Sequence, residues 1–264
     1  MPTKVLITGM SGLIGGLLKA HLQELGGYEL TALNRSQVDG VRNHTADIAD
    51  FDAIRPAFDG QDVVVHLAAY LGSQDWEGQH AGNVVGTYNV FEAARQAGVK
   101  RVIFASSGNA IRGFEFVSPY KEIASGKYDD VPDNFPMITH EQIRPEALYG
   151  AAKVWGEALG RHFSDDYDMS IICVRIGSVH RENRPMSVRE NAIYLGHRDI
   201  ANMLRLCIDA AESVKYDVFF AVSNNKWNYR DLEHAKHVLG WEPRDSADEI
   251  GLTHTKIQMI RKRN

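Results

Sequence analysis

Cysteine is nearly absent: the chain has two, Cys173 and Cys207, with no CxxC spacing and apolar residues around both. That pattern excludes a disulfide-stapled scaffold and fits a reduced, cytoplasmic protein. No apolar run approaches the roughly 20 residues needed to span a membrane. The first strand starts after four residues, which leaves no room for a signal peptide. No sign of charge dominates, since 29 Lys and Arg stand against 34 Asp and Glu, so nothing points to a nucleic-acid partner. Internal repeats and low-complexity tracts are missing. Of eleven histidines only His234 and His237 sit at helical ligand spacing, with no third ligand in view, so no metal is expected. What is left is an ordinary globular composition, long enough for one large domain or one domain with a smaller lobe.

The informative stretch is Val5 to Gly15. A run of β-formers meets three glycines spaced three apart, Gly9, Gly12 and Gly15, and the amphipathic series Leu17, Leu18, His21, Leu22, Leu25 follows at once. This is a strand, a tight turn and a helix. Gly9 allows the turn, Gly12 lets a pyrophosphate approach the backbone, and Gly15 lets the helix pack close. The unpaired N–H groups at the helix start then receive the phosphate.

Further strands are expected over 28–33, 62–67, 101–105, 170–175 and 216–221, with a short irregular stretch before Ala46. Helices are expected over 51–58, 77–97, 147–163, 199–210 and 230–239. Strands alternating with helices give a parallel sheet, and right-handed crossovers make it doubly wound, an α/β architecture. From Gly108 to Pro145 the regular pattern stops while aromatics accumulate, which suggests a lid over the site. The second strand ends at Asn34-Arg35, where an acidic residue would bind the adenosine ribose. Arg35 instead suits a 2′-phosphate, stacks on adenine, or points to solvent. Asp47 is either an acceptor for the adenine amino group or a helix N-cap. His197 reads as orienting the helix after it, Asp165-Asp166-Tyr167-Asp168 as a solvated turn, and Arg261-Lys262-Arg263 as a solvated tail.

Tyr149 and Lys153 stand four apart on one helix and so share a face. A phenol is a poor base at neutral pH, but a neighbouring ammonium and a cationic nicotinamide would both favour the phenolate. With these residues in place, the chain resembles the extended short-chain dehydrogenase/reductases, also called the NAD-dependent epimerase/dehydratase family. The matching segments are Thr8 to Gly15, Asp47-Ile48, His66 to Ala69, Asn83 to Thr87, Tyr149 to Lys153 and Leu239 to Pro243. Phe104 to Asn109, Arg144 to Gly150 and Val174 to Ser178 are similar to uronate dehydrogenases and haloarchaeal NAD-dependent glucose-6-phosphate dehydrogenases. Those enzymes oxidise the anomeric carbon of an acidic sugar to a lactone. The subgroup commonly has Ser-Ser-Asn-His where this chain has Ser106-Ser107-Gly108-Asn109, and an acidic residue where Asn34 stands.

The resemblance implies a Rossmann sheet with a small C-terminal substrate-binding lobe. One domain would cover residues 1–264, with lobe and lid drawn from about 108–146, 178–200 and 222–264. It implies Ser107, Tyr149 and Lys153 as catalytic residues. Cofactor contacts would come from Gly9, Ser11, Gly12, Leu13, Ile14, Gly15, Asn34, Arg35, Asp47, Ile48, Leu67, Ala68, Ala69, Asn83, Ala105, Tyr149, Lys153 and Ile176. The resemblance favours NAD, while Asn34-Arg35 permits NADP. Substrate would meet Ser73, Ser107, Asn109 and Arg184. Independently, Arg181, Arg184 and Arg189 follow a strand's C-terminal end, where ligands bind in open parallel sheets and arginine forks suit an anion. Arg184 matches the subgroup's substrate arginine and Arg189 is its rival. The expected activity is NAD(P)-dependent oxidation of an acidic sugar by a homo-oligomer. A nucleotide-sugar epimerase or 4-reductase is the alternative, followed by a non-catalytic dinucleotide sensor.

Overall fold

The computed structural model describes residues 1–250; the Arg261-Lys262-Arg263 tail and the end of the 222–264 segment lie outside them. Seven strands form one sheet: β1 (Thr3–Thr8), β2 (Tyr28–Asn34), β3 (Arg42–Thr45), β4 (Val63–His66), β5 (Arg101–Ser107), β6 (Ser170–Ile176) and β7 (Tyr216–Ala221). All neighbours pair in parallel, in the order β3-β2-β1-β4-β5-β6-β7. The helices are α1 (Leu13–Leu25), α2 (Phe51–Ile54), α3 (Trp76–Gly78), α4 (Gly86–Gln96), α5 (Tyr120–Ser125), α6 (Ala147–Tyr167), α7 (Glu190–Ile193), α8 (His197–Ile208), α9 (Glu233–Leu239) and α10 (Ala247–Ile250). This is the doubly wound α/β fold expected from the alternating pattern.

Because side chains alternate along a strand, each strand feeds two cores. Val5, Ile7, Ile103 and Ile172 pack on one face with Leu18 and Leu22 of α1 and with Met203, Leu204 and Cys207 of α8. Leu6, Phe104 and Cys173 point to the other face, against Phe91 of α4 and Leu159 and Phe163 of α6. Both cysteines are buried, and burial pushes both thiols up.

Three sequence expectations change. The irregular stretch before Ala46 contains β3, a half-exposed edge strand whose residues Arg42-Asn43-His44-Thr45 carry no apolar alternation. The single helix expected over 77–97 is α3, then a π-helical turn (Gln79–Val85), then α4. The amides of Gln79 and Asn83 both reach back to the Tyr70 carbonyl there, and side chains engaged outside the helix accompany such a bulge. The stretch from Gly108 to Pro145 is built rather than patternless. It holds α5 and three short 3₁₀ turns, and Ile111, Tyr120, Ile123 and Ile138 form a third core with Ile193, Phe220 and Tyr229.

Beneath the sheet's C-terminal edge lies a buried ion pair. Arg175 grips Glu157 with two bonds, at 2.8 and 2.9 Å, and Ser106 donates to the same carboxylate at 2.5 Å. A third guanidinium bond reaches the Gln142 carbonyl at 2.9 Å. Removing one member of such a pair strands the other charge away from water. Glu157→Leu is therefore expected to lower stability by about 3–5 kcal/mol in urea unfolding, and Arg175→Met added to it should recover most of the loss. A single variant as stable as the wild type would show that the pair contributes nothing.

Candidate active site

β1 and β4 are adjacent, but their following helices leave on opposite sides, so a crevice opens between the two strand ends. The turn after β1 forms one wall. Gly9 has φ +73°, and a Cβ there would stand 2.7 Å from the Ala68 nitrogen. A Cβ at Gly15 would stand 2.5 Å from the Met10 Cα, so only glycine lets α1 start this close to the turn. Thr8 ties the two strand ends together: its hydroxyl accepts from the Ala68 N–H at 3.1 Å and meets His66 Nδ1 at 2.8 Å. Burial holds His66 down at about 3, so it stays neutral in this role.

The crevice encloses about 630 Å³. Of the expected cofactor residues, Gly9, Ser11, Gly12, Asn34, Arg35, Asp47, Ile48, Leu67, Ala68 and Ala69 line it. Leu13 and Ile14 open α1 beside the turn and are half-buried. Asn83 stands behind the wall: its oxygen accepts from the Tyr70 N–H and its nitrogen donates to the Tyr70 carbonyl, both at 2.8 Å. It positions Tyr70, a lining residue that the sequence reading missed. Asp47 is not the N-cap of α2, a role taken by Asp50.

The crevice fits a dinucleotide in a further respect. Asn34 is buried, and its oxygen accepts from the Ser11 N–H at 3.4 Å, while its Nδ2 has no partner among the described residues. That bond fixes the amide so that a donor is left for a ligand, where a carboxylate would offer only acceptors. Arg35 is exposed at the rim.

The second half of the site lies along the ends of β5 and β6. A Cβ at Gly150 would fall 2.5 Å from the Asn109 carbonyl oxygen, so α6 lies directly against the backbone that follows Ser107. The Tyr149 N–H donates to the Ser73 carbonyl at 3.3 Å, and the Ser107 hydroxyl lies near enough to the Tyr149 phenol to pull its pKa down. Ser107 also accepts from the Asn109 N–H at 3.1 Å. Lys153 is buried and donates to the Ala105 carbonyl at 2.8 Å, with its nitrogen 5.6 Å from the centre of the Tyr149 ring. Ser73, Ser107, Asn109, Tyr149, Lys153 and Ala105 thus come together, and Ile176 pairs with Ser107 across β5 and β6.

The electrostatics depart from the expectation for Tyr149. Burial raises its phenol above the ordinary value, and only the neighbouring Ser107 hydroxyl opposes this. Lys153 itself is brought down to about 8 by burial, against a weaker pull from Glu157 one turn further on. The expected pull of the Lys153 ammonium on the phenol is therefore not what sets its value here.

The arginines after β6 separate clearly. Arg181 is exposed and Arg184 half-buried. Arg189 is already engaged, with both ends of its fork on the buried Glu115 carboxylate at 2.5 and 2.8 Å. Glu115 was missed in the sequence, where the lone carboxylate between Phe114 and Phe116 was its only signal. His197 donates through its N–H to Asn183 and contacts the His180 carbonyl, so it braces this loop. His140 and Asp217 do approach His234, with ligand atoms within 4.8 Å. The two imidazoles, however, stack at 4.0 Å and 15°, and no ion lies in the planes of two parallel rings, so the cluster reads as packing.

Residues 5–202 match the family described as the NAD dependent epimerase/dehydratase family. An NAD-dependent glucose-6-phosphate dehydrogenase from Haloferax volcanii is 31% identical over 261 residues, covering 95% of this chain and 96% of that protein. A uronate dehydrogenase from Pseudomonas syringae is 29% identical, covering 93% of this chain and 83% of its own. The crystal structure of uronate dehydrogenase from Agrobacterium tumefaciens superposes with a TM-score of 0.79 at 26% identity, over 99% of this chain and 90% of that one. With residues 5–202 matched by the family and 95% of the chain covered by a 31% identical relative, the chain belongs to the NAD-dependent epimerase/dehydratase family.

Proposed function

We propose that the protein is an NAD(P)-dependent oxidoreductase that oxidises the anomeric hydroxyl of an acidic sugar, a uronate or a sugar phosphate, to the lactone. The observation that carries this reading is the gathering of Ser107, Tyr149 and Lys153 where β5 ends against α6, with Lys153 buried and anchored on the Ala105 carbonyl, beside a dinucleotide-sized crevice. Tyr149 takes the proton of the C1 hydroxyl as the C1–H bond breaks and the lactone C=O forms. A bound nicotinamide would supply the hydride acceptor. Ser107 donates to the reacting oxygen. Lys153, anchored on the Ala105 carbonyl, keeps two N–H groups for the nicotinamide ribose and for the phenolate. Gly9, Gly12 and the start of α1 would hold the pyrophosphate of the cofactor, and the Asn34 Nδ2 donor would serve its adenosine ribose. The enzymes of similar sequence that act on glucose 6-phosphate and uronates support an anionic substrate, and Arg184 is the proposed contact for its charge.

If Tyr149 is the base, Tyr149→Phe should cut turnover by about 10²- to 10⁴-fold with cofactor affinity little changed. Turnover near that of the wild type would remove Tyr149 from the mechanism. For the cofactor, NAD and NADP should both bind, and Arg35→Ala should weaken NADP more than NAD. Equal losses in a fluorescence titration would mean that Arg35 does not read the 2′-phosphate.

Lys153 makes a separate thermodynamic prediction. Unfolded, its ammonium keeps the ordinary value of 10.5; folded, it falls to about 8. Below pH 8 both states hold the proton, and burial of the charge opposes folding in full. From 8 to 10.5 the unfolded chain binds the proton that the native state has released, so stability rises with pH. The stability advantage of Lys153→Met over the wild type should therefore shrink as pH rises from about 8 to about 10 in urea unfolding of the cofactor-free protein. A gap constant with pH would show that Lys153 titrates normally.

A further inference from the structure

Behind the catalytic serine lies a second charged cluster, which the proposed reaction has not used. Arg230 is 1% exposed, and its Nη2 donates to the Tyr229 hydroxyl at 3.1 Å. That is one of the five N–H groups of a guanidinium. Nε and Nη1 are buried with no hydrogen-bond partner among the described residues. Glu115, the nearest carboxylate, is 3.9 Å from Nη2, too far for a hydrogen bond, and its oxygens are held by Arg189 and Tyr229. Arg112, Arg189 and Arg230 all lie within ion-pair distance of Glu115; Arg112 also pairs with Glu146 at 3.0 Å, and Glu190 acts on Arg189 as well. Of the three guanidiniums, Arg230 alone is fully buried and hydrogen-bonded to no carboxylate among the described residues. Buried donors without acceptors are costly, and a buried unpaired charge more so.

The position of this cation suggests what completes it. A Cβ built on Gly108 would stand 3.7 Å from Arg230 Nη2 and 3.5 Å from the Ile176 carbonyl oxygen. Those are ordinary contact distances, so a gap about one side-chain atom wide separates Gly108 from the guanidinium. Gly108 is bonded directly to Ser107. The unsatisfied cation therefore sits within the width of one pyranose ring of the proposed reaction centre.

We propose that Arg230 is an inner anion anchor of the substrate site, receiving a carboxylate or phosphate oxygen of the sugar through the gap left by Gly108. This rests on the reading of the protein as a sugar dehydrogenase and adds a residue that discriminates acidic from neutral sugars. An anion there supplies the missing acceptor. With glycine at position 108, no side chain stands between that backbone and the guanidinium.

The test is the ratio of kcat/KM for acidic over neutral aldoses, taken with saturating cofactor on the full chain. Glucuronate and glucose 6-phosphate are the acidic arms, which separate carboxylate from phosphate, and glucose is the neutral one. In Arg230→Met the acidic-over-neutral ratio should fall by about ten- to a hundred-fold, the effect of one charge-assisted bond. A merely structural role would lower all three activities together and leave the ratio unmoved, which would overturn the proposal. Should Arg230→Met fail to fold, Gly108→Ala decides. Its methyl fits without a clash and fills the gap with Arg230 intact, so the ratio should fall again, and a ratio equal to that of the wild type overturns the anchor. A wild type that turns over no aldose, or acidic and neutral ones equally, refutes the anionic-sugar reading itself, and the anchor falls with it.

Discussion

The active-site geometry depends on how closely α6 can lie against the backbone that leaves β5. At Gly150 the helix meets the Asn109 carbonyl with no room for a methyl group. That contact sets the height of the helix over the sheet edge. Tyr149, one residue earlier, then stands beside Ser107, and Lys153, one turn later, donates to the Ala105 carbonyl. Glu157, a further turn on, closes on Arg175 from β6. One face of one helix thus carries the proposed base, its cationic neighbour and the internal counter-ion. Each is positioned by backbone or sheet atoms and not by a mobile loop, which is how a catalytic group keeps its geometry between turnovers.

What was legible in the sequence was local. The β1–turn–α1 unit could be read because its glycines, strand residues and helix pattern lie within about twenty positions of one another. The Tyr149–Lys153 spacing was legible for the same reason. The features that escaped reading are made by residues far apart in the chain. The bond from Asn83 to Tyr70, the fork of Arg189 on Glu115, and Arg230 beside Gly108 are all tertiary meetings with no spacing rule. The arginines after β6 show this well. As sequence, Arg184 was the first choice and Arg189 its rival; in the fold Arg189 is already committed to a carboxylate seventy-four residues away.

The two buried ionic clusters differ in how fully they are bonded. Around Glu157 one guanidinium and one hydroxyl satisfy the carboxylate, and the pair is internally neutral. Around Glu115 part of Arg230 lacks any acceptor among the described residues. A neutral, fully bonded pair is a structural brace. A buried guanidinium with open N–H groups is costly until a further acceptor meets it. The fold places the brace beneath α6 and the open guanidinium on the far side of Gly108.

The edge strand β3 has a consequence for the behaviour of the protein at high concentration. A parallel sheet exposes a row of unpaired backbone groups along each border, and such a row recruits strands from other molecules. Here the border is four residues long, and its sequence, Arg42-Asn43-His44-Thr45, offers an incoming strand no apolar face. Asn43 turns inward to bond the Val38 N–H and the carbonyls of Val38 and Val41, folding the preceding loop against it. The polarity that hid this strand from pattern reading is what discourages sheet-to-sheet aggregation along that side.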